Sequence, residues 1–131
     1  MGVVIKSEIM PRKAKSPFQG CWSIDSMSSW DKDYIDEEVP GYFDFGADEL
    51  GSFQFGYVHG DIDYRTTMRG DESAVEFTFD GMDGADGTSY CGRGWMILQG
   101  ESLGGMIFLH RGDESEIELS RMPERKPRKR G

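Results

Sequence analysis

Between residues 18 and 121 the chain runs in short stretches of alternating apolar and polar residues, broken about every ten positions by glycine, aspartate or serine. Alternation at period two puts one face of a strand in a core and the other in water, and runs this short are too brief for core helices. The spacing predicts eight strands: 18–27, 41–46, 52–59, 62–69, 73–80, 92–99, 103–110 and 114–121. The fold class this implies is all-β, a single antiparallel up-and-down barrel. The first connection is long, and Asp31 can cap a short helical segment before Pro40.

Turn chemistry predicts the registers. A turn at Gly60-Asp61 faces Tyr57 with Tyr64 and Phe55 with Thr66. One at Gly70-Asp71 faces Tyr64 with Phe77, Ile62 with Phe79 and Arg65 with Glu76. Turns at Glu101-Ser102 and Gly112-Asp113 face Trp95 with Phe108, Ile97 with Met106, and Phe108 with Ile117. The inward set is then Phe18, Trp22, Ile24, Phe53, Phe55, Tyr57, Ile62, Tyr64, Val75, Phe77, Phe79, Trp95, Ile97, Met106, Phe108, Ile117 and Leu119. That bulk fills an eight-stranded barrel, or leaves room for one small ligand. Arg65 and Glu76 read as an outward cross-strand ion pair. Met96, Leu98, Ile107 and Leu109 fall outward, an apolar patch through which the chain could form oligomers.

Charge divides the chain into three parts. Residues 1–17 carry +3 and 121–131 carry +5, so a net charge of −9 leaves −17 on residues 18–120. The expected organisation is a basic flexible arm over 1–17, an acidic barrel over 18–121 and a basic disordered tail over 122–131. An acidic body repels nucleic acid and membrane surfaces and attracts basic partners, leaving nucleic acid a possibility for the tails alone. Lys6 and Glu8 interrupt the apolar run Val3-Val4-Ile5, so neither a signal peptide nor a membrane span is expected. Met10 offers an alternative start. Two cysteines make no disulfide framework, and a cytoplasmic protein is the expectation.

Phe18-Gln19-Gly20-Cys21-Trp22-Ser23-Ile24 contains a Gly-x-Trp pattern in the first strand, and Arg121 ends the last. Together they resemble the calycin superfamily, which includes the lipocalins and fatty-acid-binding proteins. The resemblance implies a barrel whose floor is closed by Arg121 packed across Trp22. The strings Trp30-Asp31, Gly60-Asp61-Ile62-Asp63, Gly92-Arg93-Gly94-Trp95 and His110-Arg111-Gly112-Asp113-Glu114-Ser115 also resemble a group of small bacterial proteins, a likeness that implies no activity.

Up-and-down topology collects the connections 28–40, 59–61, 81–91 and 111–113 at one end. His59 and His110 fall there, with Asp61 and Asp80, and Arg93 is expected to point inward at the mouth. With Trp30, these form the expected ligand-binding residues. Three kinds of chemistry suit them. An aromatic and acidic rim fits a basic partner protein, and an inward arginine fits an anionic small molecule carried at the mouth. Two histidines with carboxylates and an arginine could carry acid–base chemistry, though no flanked nucleophile accompanies them, and Cys91 beside Gly92-Arg93 reads as a small packed side chain. Asp80, Asp83 and Asp86 form a glycine-punctuated acidic loop of the kind calcium prefers, but their spacing matches no calcium motif, and turn-making aspartates explain it equally. No cofactor is implied. The Arg-Gly-Asp triplets at 69–71 and 111–113 read as hairpin turns. The reading this supports is a non-catalytic binding or interaction module with an acidic mouth and a basic protein partner, with the anion carrier second and an enzyme third.

Overall fold

The computed structural model describes residues 16–122. The expected basic arm and tail lie almost wholly outside the described residues. The remainder is a closed barrel with strand order β1 to β8, each strand antiparallel to the next and β8 returning to β1. The strands are β1 Gly20–Met27, β2 Tyr42–Phe45, β3 Leu50–Phe55, β4 Val58–Arg69, β5 Glu72–Asp83, β6 Ser89–Gln99, β7 Ser102–Leu109 and β8 Glu114–Arg121. A one-turn helix, α1 (Lys32–Ile35), interrupts the first connection, and the Asp31 carboxylate accepts the Tyr34 N–H at its start as expected.

The interior is filled by rings. Phe43 stacks on Phe53 at 5.0 Å, Phe53 meets Phe79 edge-on at 5.2 Å, and Phe45 meets Tyr64 at 5.0 Å. The adjacent strand β6 accommodates the β5 rings with glycine, Gly94 pairing with Phe77 and Gly92 with Phe79. A Cβ on Gly94 would lie 2.4 Å from Phe77 Cζ, and one on Gly92 would lie 2.8 Å from Phe79 Cζ. The rings of Phe77 and Phe79 on β5 thus lie over bare backbone on β6, where a side chain would collide with them.

That arrangement explains the main correction to the expected registers. The β4–β5 pairing is as read, with Tyr64 opposite Phe77 and Ile62 opposite Phe79. The β5–β6 pairing is shifted by one residue, Phe79 facing Gly92 and Thr78 facing Arg93. A one-residue shift turns every side chain to the other face. On β6 and β7 the inward set is therefore Gly92, Gly94, Met96, Leu103, Gly105 and Ile107, with Leu98 and Leu109 packed against the core. Trp95, Ile97, Met106 and Phe108 face outward and are half-buried. The oligomer patch expected on Met96, Leu98, Ile107 and Leu109 is accordingly core: Met96 and Ile107 are fully buried. The β7–β8 pairing is shifted by three residues, which restores Ile117 and Leu119 to the interior. The β3–β4 turn falls at Gly56-Tyr57, where Gly56 adopts φ +62°, rather than at Gly60-Asp61, which continue β4.

Both ends of the barrel are closed. At the floor, Phe18 and Trp22 are buried and Arg121 lies across the indole. At the mouth, Ile35 of α1 is fully buried, Trp30 packs on Phe55 at 4.9 Å, and Gly56 N–H donates to the Ile35 carbonyl. The first connection is a plug.

Candidate functional site

With the interior filled and both ends closed, the surfaces left for a ligand are on the outer wall. Two grooves run there. The first, about 700 Å³, crosses β2 to β6 at the mouth half and is lined by Glu38, Gln54, His59, Asp61, Asp80 and Ser89 among others. Strand pairing builds it. Gln54, His59, Met82 and Ser89 form one outward row, and Ser52, Asp61, Asp80 and Cys91 the next. Asp61 faces Asp80 directly, and no Lys, Arg or His lies within ion-pair distance of either among the described residues. Like charges set opposite one another are destabilising by a few tenths of a kcal/mol to about 1 kcal/mol. No hydrogen bond or ion pair among the described residues joins His59 to Ser52, Ser89, Asp61 or Asp80.

The second groove, about 630 Å³, runs over β5 with Arg65 and Arg69 of β4 on one side and Arg93, Trp95 and Phe108 on the other. The Arg69 guanidinium carbon lies 4.1 Å from the centre of the Trp95 ring, and that of Arg93 lies 4.6 Å from the Phe108 ring. Arg65 donates to Asp63 at 2.6 Å and stands 3.6 Å from Glu49. It is opposite Glu76 as expected, yet it does not pair with it. Its carboxylate partners are the neighbour two residues back along β4 and the Ala47–Glu49 turn.

The expected ligand-binding residues are therefore divided. His59, Asp61 and Asp80 share the first groove. Arg93 lines the second and points outward, contrary to the inward placement expected, because of the β5–β6 shift. Trp30 belongs to the plug. His110 is exposed at the β7–β8 turn, at the same end of the barrel as His59, and lines neither groove, so His59, Arg93 and His110, expected together at one mouth, do not share a groove. Asp83 and Asp86 accept the backbone N–H groups of Ala85 and Thr88, turn bonds that hold Asp86 below the ordinary carboxylate range. No three His, Cys, Asp or Glu side chains converge as a metal site among the described residues. At the mouth, the Gly41 N–H and then Lys32 hold Asp36 below its usual 3.8, while burial raises the Tyr34 hydroxyl above 10.0. Sequence reasoning missed Arg69 and the outward Trp95. The available signal was scarcity: residues 18–120 hold only five cations, Lys32, Arg65, Arg69, Arg93 and Arg111.

Comparison with family models, with curated proteins and with solved structures returned no match. No helix among the described residues is long and apolar enough to cross a membrane.

Proposed function

We propose that this chain is a non-catalytic binding module that offers the outer wall of a filled, plugged barrel to a basic protein partner. The observation that carries the reading is the Asp61–Asp80 juxtaposition, two opposed carboxylates with no cation in ion-pair reach among the described residues. The body around them holds 22 acidic residues against five basic ones, a field that draws a basic partner in and favours fast association. The carrier alternative needs room for an anion at the mouth, where Trp30 and Ile35 pack. The Trp22–Arg121 contact supports a calycin-like reading of the first strand, and a cytoplasmic setting is part of the same proposal.

The test is calorimetric titration with a lysine- and arginine-rich peptide. Binding should weaken on the order of tenfold in Asp61→Asn/Asp80→Asn and weaken with added salt. The same double substitution should raise fold stability, because it removes a repulsion. Peptide affinity unchanged by the two substitutions would place the partner elsewhere and end this reading.

A further inference from the structure

Residues 18–120 carry 22 acids and only five cations, yet three of the five, Arg65, Arg69 and Arg93, line one groove. In so acidic a body a guanidinium normally finds a carboxylate. Arg65 has done so. Arg69 and Arg93 have not: among the described residues neither has a carboxylate within ion-pair distance nor a hydrogen bond to any acceptor. Instead each lies over an outward ring, Arg69 on Trp95 and Arg93 on Phe108. A guanidinium stacked this way is held in place while the N–H donors at its edges stay open, and its planar fork matches an oxyanion in bidentate fashion.

We propose that this groove is a binding site for a small phosphate monoester with an aromatic or other apolar body. The phosphoryl group fits between Arg69 and Arg93, and the apolar body lies beside the half-buried Trp95 and Phe108 side chains on which the two guanidiniums rest. The two open cations set the charge. A phosphate monoester brings close to two negative charges at neutral pH and three acceptor oxygens, whereas a carboxylate brings one charge and serves one fork. Thr78, the β5 residue paired with Arg93, adds a hydroxyl donor beside it. Glu76 is the lining carboxylate that makes no ion pair, and it opposes an anion. The site is independent of the acidic groove, which lies on the outward rows of Gln54–Ser89 and Ser52–Cys91.

The experiment is an NMR titration of the full chain with phenyl phosphate, and in parallel with benzoate, read on the Trp95 indole N–H after assignment with Trp95→Phe. Phenyl phosphate should give a saturable shift. Arg69→Gln and Arg93→Gln should each weaken it on the order of tenfold, the usual scale for one charge-assisted pair. Arg69→Lys/Arg93→Lys, which keeps the charge but not the fork, should also weaken it. Glu76→Gln should tighten it, and Arg111→Gln, outside the groove, should leave it unchanged. Both arginines are exposed, so the variants should keep the wild-type fold, checked by their dispersed amide spectra. Benzoate binding as tightly as phenyl phosphate, or affinity unchanged in Arg69→Gln/Arg93→Gln, overturns the proposal. Neither result bears on the basic-peptide titration, whose residues are not touched.

Discussion

The Arg121 guanidinium carbon stands 4.2 Å from the centre of the Trp22 ring, and the two residues face each other across the β1–β8 seam that closes the barrel. The indole N–H donates to the Phe18 carbonyl at 2.8 Å, so the ring is fixed at its edge as well as its face. Arg121 in turn donates to Glu101 and to the carbonyls of Gln19 and Pro17. One arginine thus ties the last strand to the segment before the first. Trp22→Ala should cost about 3–5 kcal/mol, the range for a large core aromatic. Arg121→Gln should cost less, about 1–2 kcal/mol, since it forfeits the ring contact and some of the hydrogen bonds of a part-exposed side chain. Urea unfolding of both variants checks the order. A larger loss at Arg121 would mean that the seam depends more on polar ties than on the buried ring.

Two strand glycines give a second test, Gly94 facing inward beneath a core ring and Gly104 facing outward opposite Ile97 and Glu118. At Gly94 the added carbon would lie 2.4 Å from Phe77 Cζ and 2.6 Å from the Met106 carbonyl. At Gly104 the nearest atom is Glu118 Oε2 at 3.9 Å. Gly94→Ala should destabilise by about 1–3 kcal/mol through overpacking. Gly104→Ala should be neutral or stabilising by up to about 1 kcal/mol, since it removes only unfolded-state freedom. Equal effects at the two positions would show that Phe77 moves aside at little cost.

These glycines also explain what the sequence could and could not convey. Strand number and the β4–β5 register were legible because Ile62, Tyr64, Phe77 and Phe79 mark one face with large apolar side chains. On β6 and β7 the inward face is written partly in glycine, which carries no hydropathy signal. The outward Trp95, Ile97, Met106 and Phe108 carry the period instead, so the pattern reads with the wrong face inward. Gly60-Asp61 has turn chemistry but lies in β4, while Gly56 makes the turn. For the site, residue types were legible and faces were not. Arg93 was singled out but placed inside, and Arg69 gained meaning only once Trp95 was seen to lie beneath it.

Asp36 gives the chain an acid-sensitive point. Its carboxylate accepts the Gly41 N–H at 2.8 Å and the Lys32 ammonium at 2.6 Å, which fastens the end of α1 to the start of β2. These contacts favour the charged form and lower its pKa from 3.8 in the folded state. A depressed carboxylate pKa stabilises the fold above the unfolded value, and that contribution disappears as pH falls below 3.8 and through the folded value. Asp36→Asn should therefore be less stable than the wild type at neutral pH, and the difference should shrink as pH drops below that point. The side chain is about a third exposed, so the neutral-pH difference should be modest. Denaturant midpoints measured across the acid range check it, and a difference that stays constant with pH would assign the effect to packing.

The turn between β2 and β3 holds two consecutive residues in the left-handed region, Asp48 at φ 60° and Glu49 at φ 64°. Aspartate tolerates that conformation better than most residues, and glutamate does not. The turn is pinned from both sides. Gly46 N–H donates to the Leu50 carbonyl at 2.8 Å, and the Tyr64 hydroxyl donates to the Gly46 carbonyl from within the barrel. A left-handed side-chain residue costs about 1–2 kcal/mol, and glycine relieves that at an entropic cost of about 0.5–1 kcal/mol. Glu49→Gly also removes the 3.6 Å approach to Arg65, but both side chains are more than half exposed and such pairs contribute little. Relief should exceed the losses, so Glu49→Gly should stabilise the fold by about 0.5–1 kcal/mol, with a smaller gain for Asp48→Gly. Thermal unfolding of the two variants decides the sign. If Glu49→Gly is the less stable protein, the Glu49–Arg65 contact holds the turn more firmly than its exposure suggests. Arg65 would then be fixed at the edge of the arginine groove by two carboxylates, Asp63 and Glu49.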